Sequence, residues 1–125
     1  MARVLALVGD LLFASRLQAT LGAAGHEVEL VSRRPGLEQR LDELPDDAPA
    51  VLLVDLTDAE LGGVELVEAL VRERRPASVR TLGFYAHVDT GTRVRAERAG
   101  FDRVVPRSRM AREGAELVAR LAAPR

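Results

Sequence analysis

Several residue types that carry chemistry in other proteins are missing from this sequence. It has no cysteine and no tryptophan, and aromatic residues make up only 3% of it. Without cysteine the chain can form no disulfide bond, no thiolate metal site and no cysteine nucleophile. All 18 basic residues are arginine, so mechanisms that need a lysine amine are excluded. His26 and His87 are the two histidines, which excludes multi-histidine metal cages.

Long apolar runs are also missing. The sharpest run, residues 51–54, is far shorter than the roughly 20 residues that a membrane-spanning helix needs, and the first residues lack the features of a secretory signal. Apolar residues make up 47% of the chain and charged residues 30%, with a net charge of −1, which is typical of globular proteins in water. We therefore expect a cytoplasmic protein with no membrane segment, and a length of 125 residues predicts one domain over residues 1–125.

Short apolar runs alternate with segments of helical periodicity five times along the chain. The predicted strands are residues 4–8, 28–31, 51–54, 81–86 and 104–105. A predicted helix follows each strand, and the third has a broad apolar stripe made by Val64, Val67 and Val71, with Leu66 and Leu70 beside them. This alternation predicts an α/β fold, a doubly wound parallel sheet of five strands with five helices. The flavodoxin-like strand order 2-1-3-4-5 is a common solution for five such units.

Two aspartates stand where the first and third predicted strands end. Ligands in such sheets bind at the carboxyl ends of the strands, near the point where the strand order reverses, and these two strands flank that point. We therefore expect Asp10 and Asp55 to project into one crevice. Two carboxylates there could hold a hard cation, and one could act as a nucleophile toward a phosphoryl group. An aspartate after a strand is also often only a helix cap or turn former.

The whole chain resembles the receiver (CheY-like) domains of two-component response regulators. The best match is the apolar strand that ends in Asp55 and is followed by G-G-V-E-L at residues 62–66, which is similar to the receiver pattern of a strand, the phosphoacceptor Asp and then D-G-x-E-L. V-G-D at residues 8–10 resembles the V-D-D that ends the first receiver strand, and A-G-F-D at residues 99–102 resembles the A-G-A before the fifth. The resemblance implies the flavodoxin-like fold, Asp55 as phosphoacceptor and Asp10 with Asp55 as Mg²⁺ ligands.

The sequence departs from the receiver pattern at four positions. Gly9 stands in place of the first of two acids, which implies weak Mg²⁺ binding. Tyr85 stands in place of the Ser or Thr that ends the fourth strand, and Val104 in place of the aromatic switch residue. The receiver Lys falls on Arg107, whose guanidinium can pair with phosphate through a planar fork. Tyr85 and Arg107 are therefore the candidate phosphoryl contacts.

Charge is distributed unevenly along the chain. Residues 41–73 hold ten acids and one base, Arg72, whereas nine arginines and four acids follow residue 90. The fourth helix, fifth strand and fifth helix are thus predicted to form a basic face with Arg93, Arg95, Arg98, Arg103, Arg109 and Arg112. In receivers this surface usually binds partners, so we expect a protein partner or a homodimer there. The other interpretation is a solvated face without a partner.

These departures favour an atypical receiver, or pseudo-receiver, that acts alone in signal transduction through protein binding and is not an enzyme. Phosphorylation at Asp55 is then weak or absent, and the partner is a histidine kinase or a downstream regulator. A conventional Mg²⁺-dependent phosphoaspartate receiver is the alternative. Nucleic-acid binding is not expected, because the basic stretch lacks interleaved aromatic residues and matches no recognition motif.

A small flavodoxin-like enzyme or cofactor binder is a further alternative. It would use Asp10, Asp55 and His87 in the same crevice, but the glycine-rich motifs of Rossmann and P-loop sites are absent. His87 and Asp89 could contribute two metal ligands, which do not make a site. Asp89 is better explained as the cap of the fourth helix.

Overall fold

The computed structural model describes residues 2–45, 49–73 and 78–123 of the chain. Five parallel strands form one sheet in the order β2-β1-β3-β4-β5, which confirms the predicted order. The strands are β1 (Arg3–Leu7), β2 (Glu27–Val31), β3 (Ala50–Asp55), β4 (Val79–Tyr85) and β5 (Arg103–Pro106). The helices are α1 (Leu11–Ala23), α2 (Arg34–Glu43), α3 (Gly63–Arg72), α4 (Thr90–Ala99) and α5 (Arg107–Ala122). No helix in these described parts is long and apolar enough to cross a membrane.

The central strand β3 is buried along its whole length. All six of its residues are buried, and it pairs with β1 on one side and β4 on the other. Its uninterrupted apolar run predicts this position, because a strand of a parallel sheet covered by helices on both faces has no solvent-facing side. As a result, the last residue of the strand, Asp55, is fixed at the carboxyl edge of the sheet.

Two apolar cores lie on opposite faces of the sheet. Successive strand residues point to opposite faces, so Val51 and Leu53 pack in one core and Leu52 and Val54 in the other. The first core takes residues from α1 and α5, including Phe13. The second takes residues from α2, α3 and α4. The doubly wound arrangement expected from the sequence is therefore confirmed.

The apolar stripe of α3 differs from the prediction at one position. Leu66, Val67 and Leu70 are buried, but Val71, which belongs to the predicted apolar stripe, is 55% exposed. Val71 lies beside the end of α4, where its Cγ2 would be 2.8 Å from a Cβ on Gly100. The apolar periodicity of the sequence does not show that this edge of α3 faces the end of α4 rather than the sheet.

His26 has a structural role. Its side chain is buried, and its Nδ1 accepts a hydrogen bond from the backbone N–H of Ala2 at 3.1 Å, while Nε2 lies 3.4 Å from the carbonyl oxygen of Ala115. With Nδ1 as acceptor and Nε2–H as donor, a neutral imidazole satisfies both contacts. His26 therefore ties the start of β1 to α5.

We expect Gly83→Ala to destabilise the protein. A Cβ at Gly83 in β4 would lie 2.7 Å from Leu56 Cδ1 and 2.9 Å from Phe101 Cε2, so an added methyl group overpacks the core at a cost of about 1–3 kcal/mol. Urea denaturation measures this change. Gly22→Ala in α1 is the matched control, because a Cβ there meets no atom within 4 Å and alanine is the better helix former by about 1 kcal/mol. Equal stability of Gly83→Ala and wild type would contradict the packing.

Candidate functional site

Asp55 is the buried acid at the carboxyl edge of the sheet. The residue is only 2% exposed. Its Oδ1 accepts hydrogen bonds from the backbone N–H of Thr57 at 2.8 Å and from the Thr57 hydroxyl at 2.5 Å. Thr57 donates both bonds to Oδ1, so these bonds leave Oδ2 available for another contact. The strand end and the following turn thus hold this carboxylate in one orientation.

A cavity of about 340 Å³ opens at Asp55 between α3 and α4. It is lined by Asp55, Leu56, Asp58, Ala59, Gly63, Val64, Glu65, Glu68, Thr92 and Arg95. Four of these residues are acids and one is an arginine, so the cavity attracts cations and repels anions by long-range charge. Asp10, Tyr85, His87 and Arg107 are not among its lining residues. Of the predicted site residues, Asp55 and Arg95 line this cavity.

Asp10 caps helix α1 and pairs with an arginine. Its Oδ1 accepts hydrogen bonds from the N–H groups of Leu12 and Phe13, and its Oδ2 accepts one from Arg107 Nη2 at 3.0 Å. The N–H of Phe13 and then the guanidinium of Arg107 lower the pKa of Asp10 below its ordinary value of 3.8. Both oxygens are therefore engaged. The capping interpretation of this aspartate agrees with the structure.

Arg107 is directed to Asp10 rather than to Asp55. It is the first residue of α5, and its guanidinium carbon lies 4.1 Å from the centre of the Phe13 ring, which is within the range of a cation–π contact. The Phe13 ring in turn packs against Phe84 with ring centres 5.1 Å apart. The guanidinium is thus held between a carboxylate and an aromatic face.

Tyr85, His87 and Asp89 follow one another at the end of β4 but have different surroundings. Tyr85 is only 6% exposed and belongs to the core under α2, α3 and α4. His87 is exposed. Asp89 caps α4, since its Oδ1 accepts from the N–H of Thr92 at 3.0 Å and its Oδ2 from the Thr92 hydroxyl at 2.5 Å. The capping prediction for Asp89 is confirmed, and hydrogen bonds from Thr92 lower its pKa.

The residues around Asp10 and Asp55 fit a divalent cation poorly. In residues 2–45, 49–73 and 78–123 there is no group of three or more His, Cys, Asp or Glu side chains that could hold a metal ion. Asp10 already has a guanidinium on Oδ2. A Cβ at Gly9 would lie 3.3 Å from Asp58 Oδ2. The side chain of an acid at position 9 would therefore start beside the carboxylate of Asp58.

The six arginines of the predicted basic face have different surroundings in the structure. Arg93 and Arg109 pair with acids one helical turn away, Glu97 and Glu113. Arg98 and Arg112 are exposed, and Arg103 is partly exposed at the start of β5. Arg95 instead lines the cavity at Asp55, where its Nη2 donates to the Thr92 hydroxyl at 3.0 Å.

Three contributors to the site were not predicted from the sequence. Thr57 holds the Asp55 carboxylate, Phe13 lies under the Arg107 guanidinium and Asp58 borders both Gly9 and the cavity. The D-x-T pattern at residues 55–57 is a local signal that could have indicated the first contact, because an aspartate side chain often accepts a hydrogen bond from the backbone N–H two residues on. Phe13 offers no such signal, since its partner is 94 residues away along the chain.

Comparison with known proteins finds similarity in structure only. No family profile and no curated protein matches the sequence. A putative response regulator from Chloroflexus aurantiacus superposes with a TM-score of 0.82 at 21% identity and covers 98% of both chains. The chemotaxis response regulator CheY4 of Vibrio cholerae has a TM-score of 0.79 at 18% identity, covering 97% of this chain and 98% of that one.

A further similar structure comes from a different kind of protein. A putative pilus assembly protein from Burkholderia thailandensis has a TM-score of 0.76 at 24% identity, covering 99% of this chain and all of that one. Identities at this level establish the fold and not the activity. The chain therefore has the receiver-domain, CheY-like fold, as the sequence resemblance implied.

We expect Asp10→Asn to lower stability near neutral pH and to have less effect in acid. Because the pKa of Asp10 is lowered in the folded protein, its charged form stabilises the fold above about pH 4, and this contribution is lost as the pH falls through the lowered pKa. Denaturation at pH 7 and at pH 3 measures the difference between the variant and wild type. Glu116→Gln, at an exposed position of α5, is the control for the loss of one negative charge. A difference that grows in acid would contradict the assignment.

Proposed function

We propose that this protein is an atypical receiver of signal transduction that acts by binding another protein, with weak or absent phosphorylation at Asp55. In this proposal the protein is not an enzyme, and it acts in the cytoplasm. The observation that carries the proposal is that Arg107 bonds to Asp10 and stacks on Phe13 instead of reaching Asp55. The proposed phosphoryl contact is thus engaged elsewhere in the folded protein.

The position of Asp55 supports a receiver-type site. It ends the central strand at the edge where doubly wound sheets bind ligands, and Thr57 fixes one of its oxygens. A conventional phosphoaspartate receiver is the second candidate function, because Oδ2 is left by these bonds and Asp55 lines an open cavity. The charge of that cavity argues against it, since phosphoryl donors are anions and three further carboxylates line the cavity beside Asp55.

The groups that would respond to phosphorylation also differ from those of a conventional receiver. Tyr85, the second candidate phosphoryl contact, is packed in the core, where a phenol ring has little freedom to rotate because protein interiors are close-packed. Weak Mg²⁺ binding by Asp10 and Asp55 follows from the engaged oxygens of Asp10. These features favour a signal other than phosphorylation for this protein.

The partner surface is proposed to be the arginine face of α4, β5 and α5. Its exposed or partly exposed members are Arg98, Arg103 and Arg112, flanked by the ion-paired Arg93 and Arg109. Exposed arginines suit an acidic partner surface, because complementary charge speeds and orients association. A histidine kinase or a downstream regulator is the proposed partner, and a homodimer through this face is a second arrangement.

We expect beryllofluoride with Mg²⁺, a phosphoryl mimic, to leave the amide NMR spectrum of the protein nearly unchanged. The physical reason is that Arg107 is held by Asp10 and the cavity at Asp55 is acidic. The spectrum is recorded for wild type and for Asp55→Asn, which removes the acceptor charge while keeping the side-chain shape. Large shifts around Asp55, Tyr85 and Arg107 that vanish in the variant would instead establish a working acceptor site, and the conventional receiver would replace the atypical one.

We expect Arg98→Glu with Arg112→Glu to abolish any self-association of the protein, because two charge reversals turn attraction for an acidic surface into repulsion. Sedimentation velocity over a range of protein and salt concentrations measures the association. Reversal of two arginines outside this face, Arg16 on α1 and Arg33 before α2, is the matched control. A dimer that persists in the face variant would show that copies meet through another surface.

A further inference from the structure

Both carboxylate oxygens of Asp10 are occupied by groups of this chain. Oδ1 accepts from the N–H groups of Leu12 and Phe13 at 3.0 and 3.1 Å. Oδ2 accepts from Arg107 Nη2 at 3.0 Å. The first pair of bonds is the cap of α1 and the third is an ion pair that spans 97 positions of the sequence. An external cation at Asp10 must therefore displace the guanidinium or share its oxygen.

The guanidinium has a second contact that fixes its position. Arg107 lies over the Phe13 ring, 4.1 Å from its centre. Phe13 is a buried residue, and its ring packs against Phe84. Because the aromatic face belongs to the core, it cannot move away with the side chain. An exposed ion pair alone is weak, and here the side chains of Arg107 and Asp10 are 39% and 45% exposed. The contact with the Phe13 ring stabilises the same guanidinium that pairs with Asp10.

The guanidinium is also tethered, which matters for competition. A group joined to the same folded chain acts at a high effective concentration, in the millimolar range or above. A divalent cation bound by one carboxylate has to compete with this group from solution. Gly9 adds no carboxylate to help it, and a Cβ at Gly9 would lie 3.3 Å from Asp58 Oδ2.

We infer that the Arg107 guanidinium serves as the built-in counter-cation of Asp10, in the place of a divalent cation, so that the charge of Asp10 is compensated without Mg²⁺. The inference rests on the proposed function, because it assigns the charge state of the same site. It deepens that proposal by naming which group keeps Mg²⁺ binding weak. Arg107 acts here as a positioning residue that links the start of α5 to the cap of α1.

An NMR titration with MgCl₂ alone, at constant ionic strength, tests the inference on the full chain. In wild type we expect no saturable shift of the amide signals of Leu11, Leu12 and Phe13 at millimolar Mg²⁺. In Arg107→Ala the same signals should shift and saturate, because Oδ2 of Asp10 is released. Adding Asp10→Asn to Arg107→Ala should abolish the shifts again.

Arg120→Ala is the matched control for the loss of one arginine from α5, and it should behave as wild type does. Arg107→Gln serves as a second variant if Arg107→Ala does not fold by circular dichroism, since glutamine keeps much of the stem without the charge. Saturable shifts in wild type with the same midpoint as in the arginine variants would overturn the inference. Absence of shifts in every arginine variant that folds would overturn it as well.

An independent readout follows the Asp10 carboxyl carbon through a pH titration. Removal of the guanidinium should raise the pKa of Asp10 in Arg107→Gln and leave it unchanged in Arg120→Ala. No rise would overturn the inference. Neither this titration nor the one with Mg²⁺ contains a phosphoryl mimic, so both test the inference about Arg107 separately from the proposed function. The proposed function is tested by the beryllofluoride spectra of wild type and Asp55→Asn.

Discussion

The complete burial of β3 is the constraint on which the rest of the structure depends. A strand that is covered on both faces and paired on both edges must be apolar throughout, and residues 50–54 meet that demand. The only polar residue of the strand is the last, Asp55, at the point where the strand leaves the sheet. Every other component of the candidate site is arranged around this edge, because the neighbouring strands end at the same level in a parallel sheet.

The two aspartates at this edge differ in how their charge is compensated. Asp10 has its own cation in Arg107 and two backbone donors, whereas Asp55 accepts hydrogen bonds from Thr57 and shares its cavity with Asp58, two glutamates and Arg95. A buried carboxylate is costly unless hydrogen bonds or opposite charge compensate it. The two aspartates, which look alike as strand-end acids, therefore have different electrostatic surroundings. That difference separates this protein from a site in which both acids face one ligand.

Predictions from the sequence are accurate where the signal is local. The five strands, the helix caps at Asp89 and Asp10 and the end of α4 at Gly100 all follow from short patterns, because alternation, capping and glycine in the left-handed region act within a few residues. Val71 belongs to the apolar stripe of α3 but is exposed, since this edge of α3 lies beside Gly100 at the end of a neighbouring helix. The bond between Thr57 and Asp55 is local as well, because it joins residues two positions apart.

The sequence by itself determined the doubly wound sheet and the placement of Asp10 and Asp55 at strand ends, and it made 2-1-3-4-5 one of a few expected strand orders. It did so because apolar periodicity and strand length limit a chain of this size to few arrangements. Only the tertiary structure decided that Arg107 pairs with Asp10 over Phe13 and that the cavity at Asp55 opens toward α3 and α4. The physical reason is that these contacts join side chains far apart in sequence, whose directions are set by how α1, α3, α4 and α5 pack on the sheet.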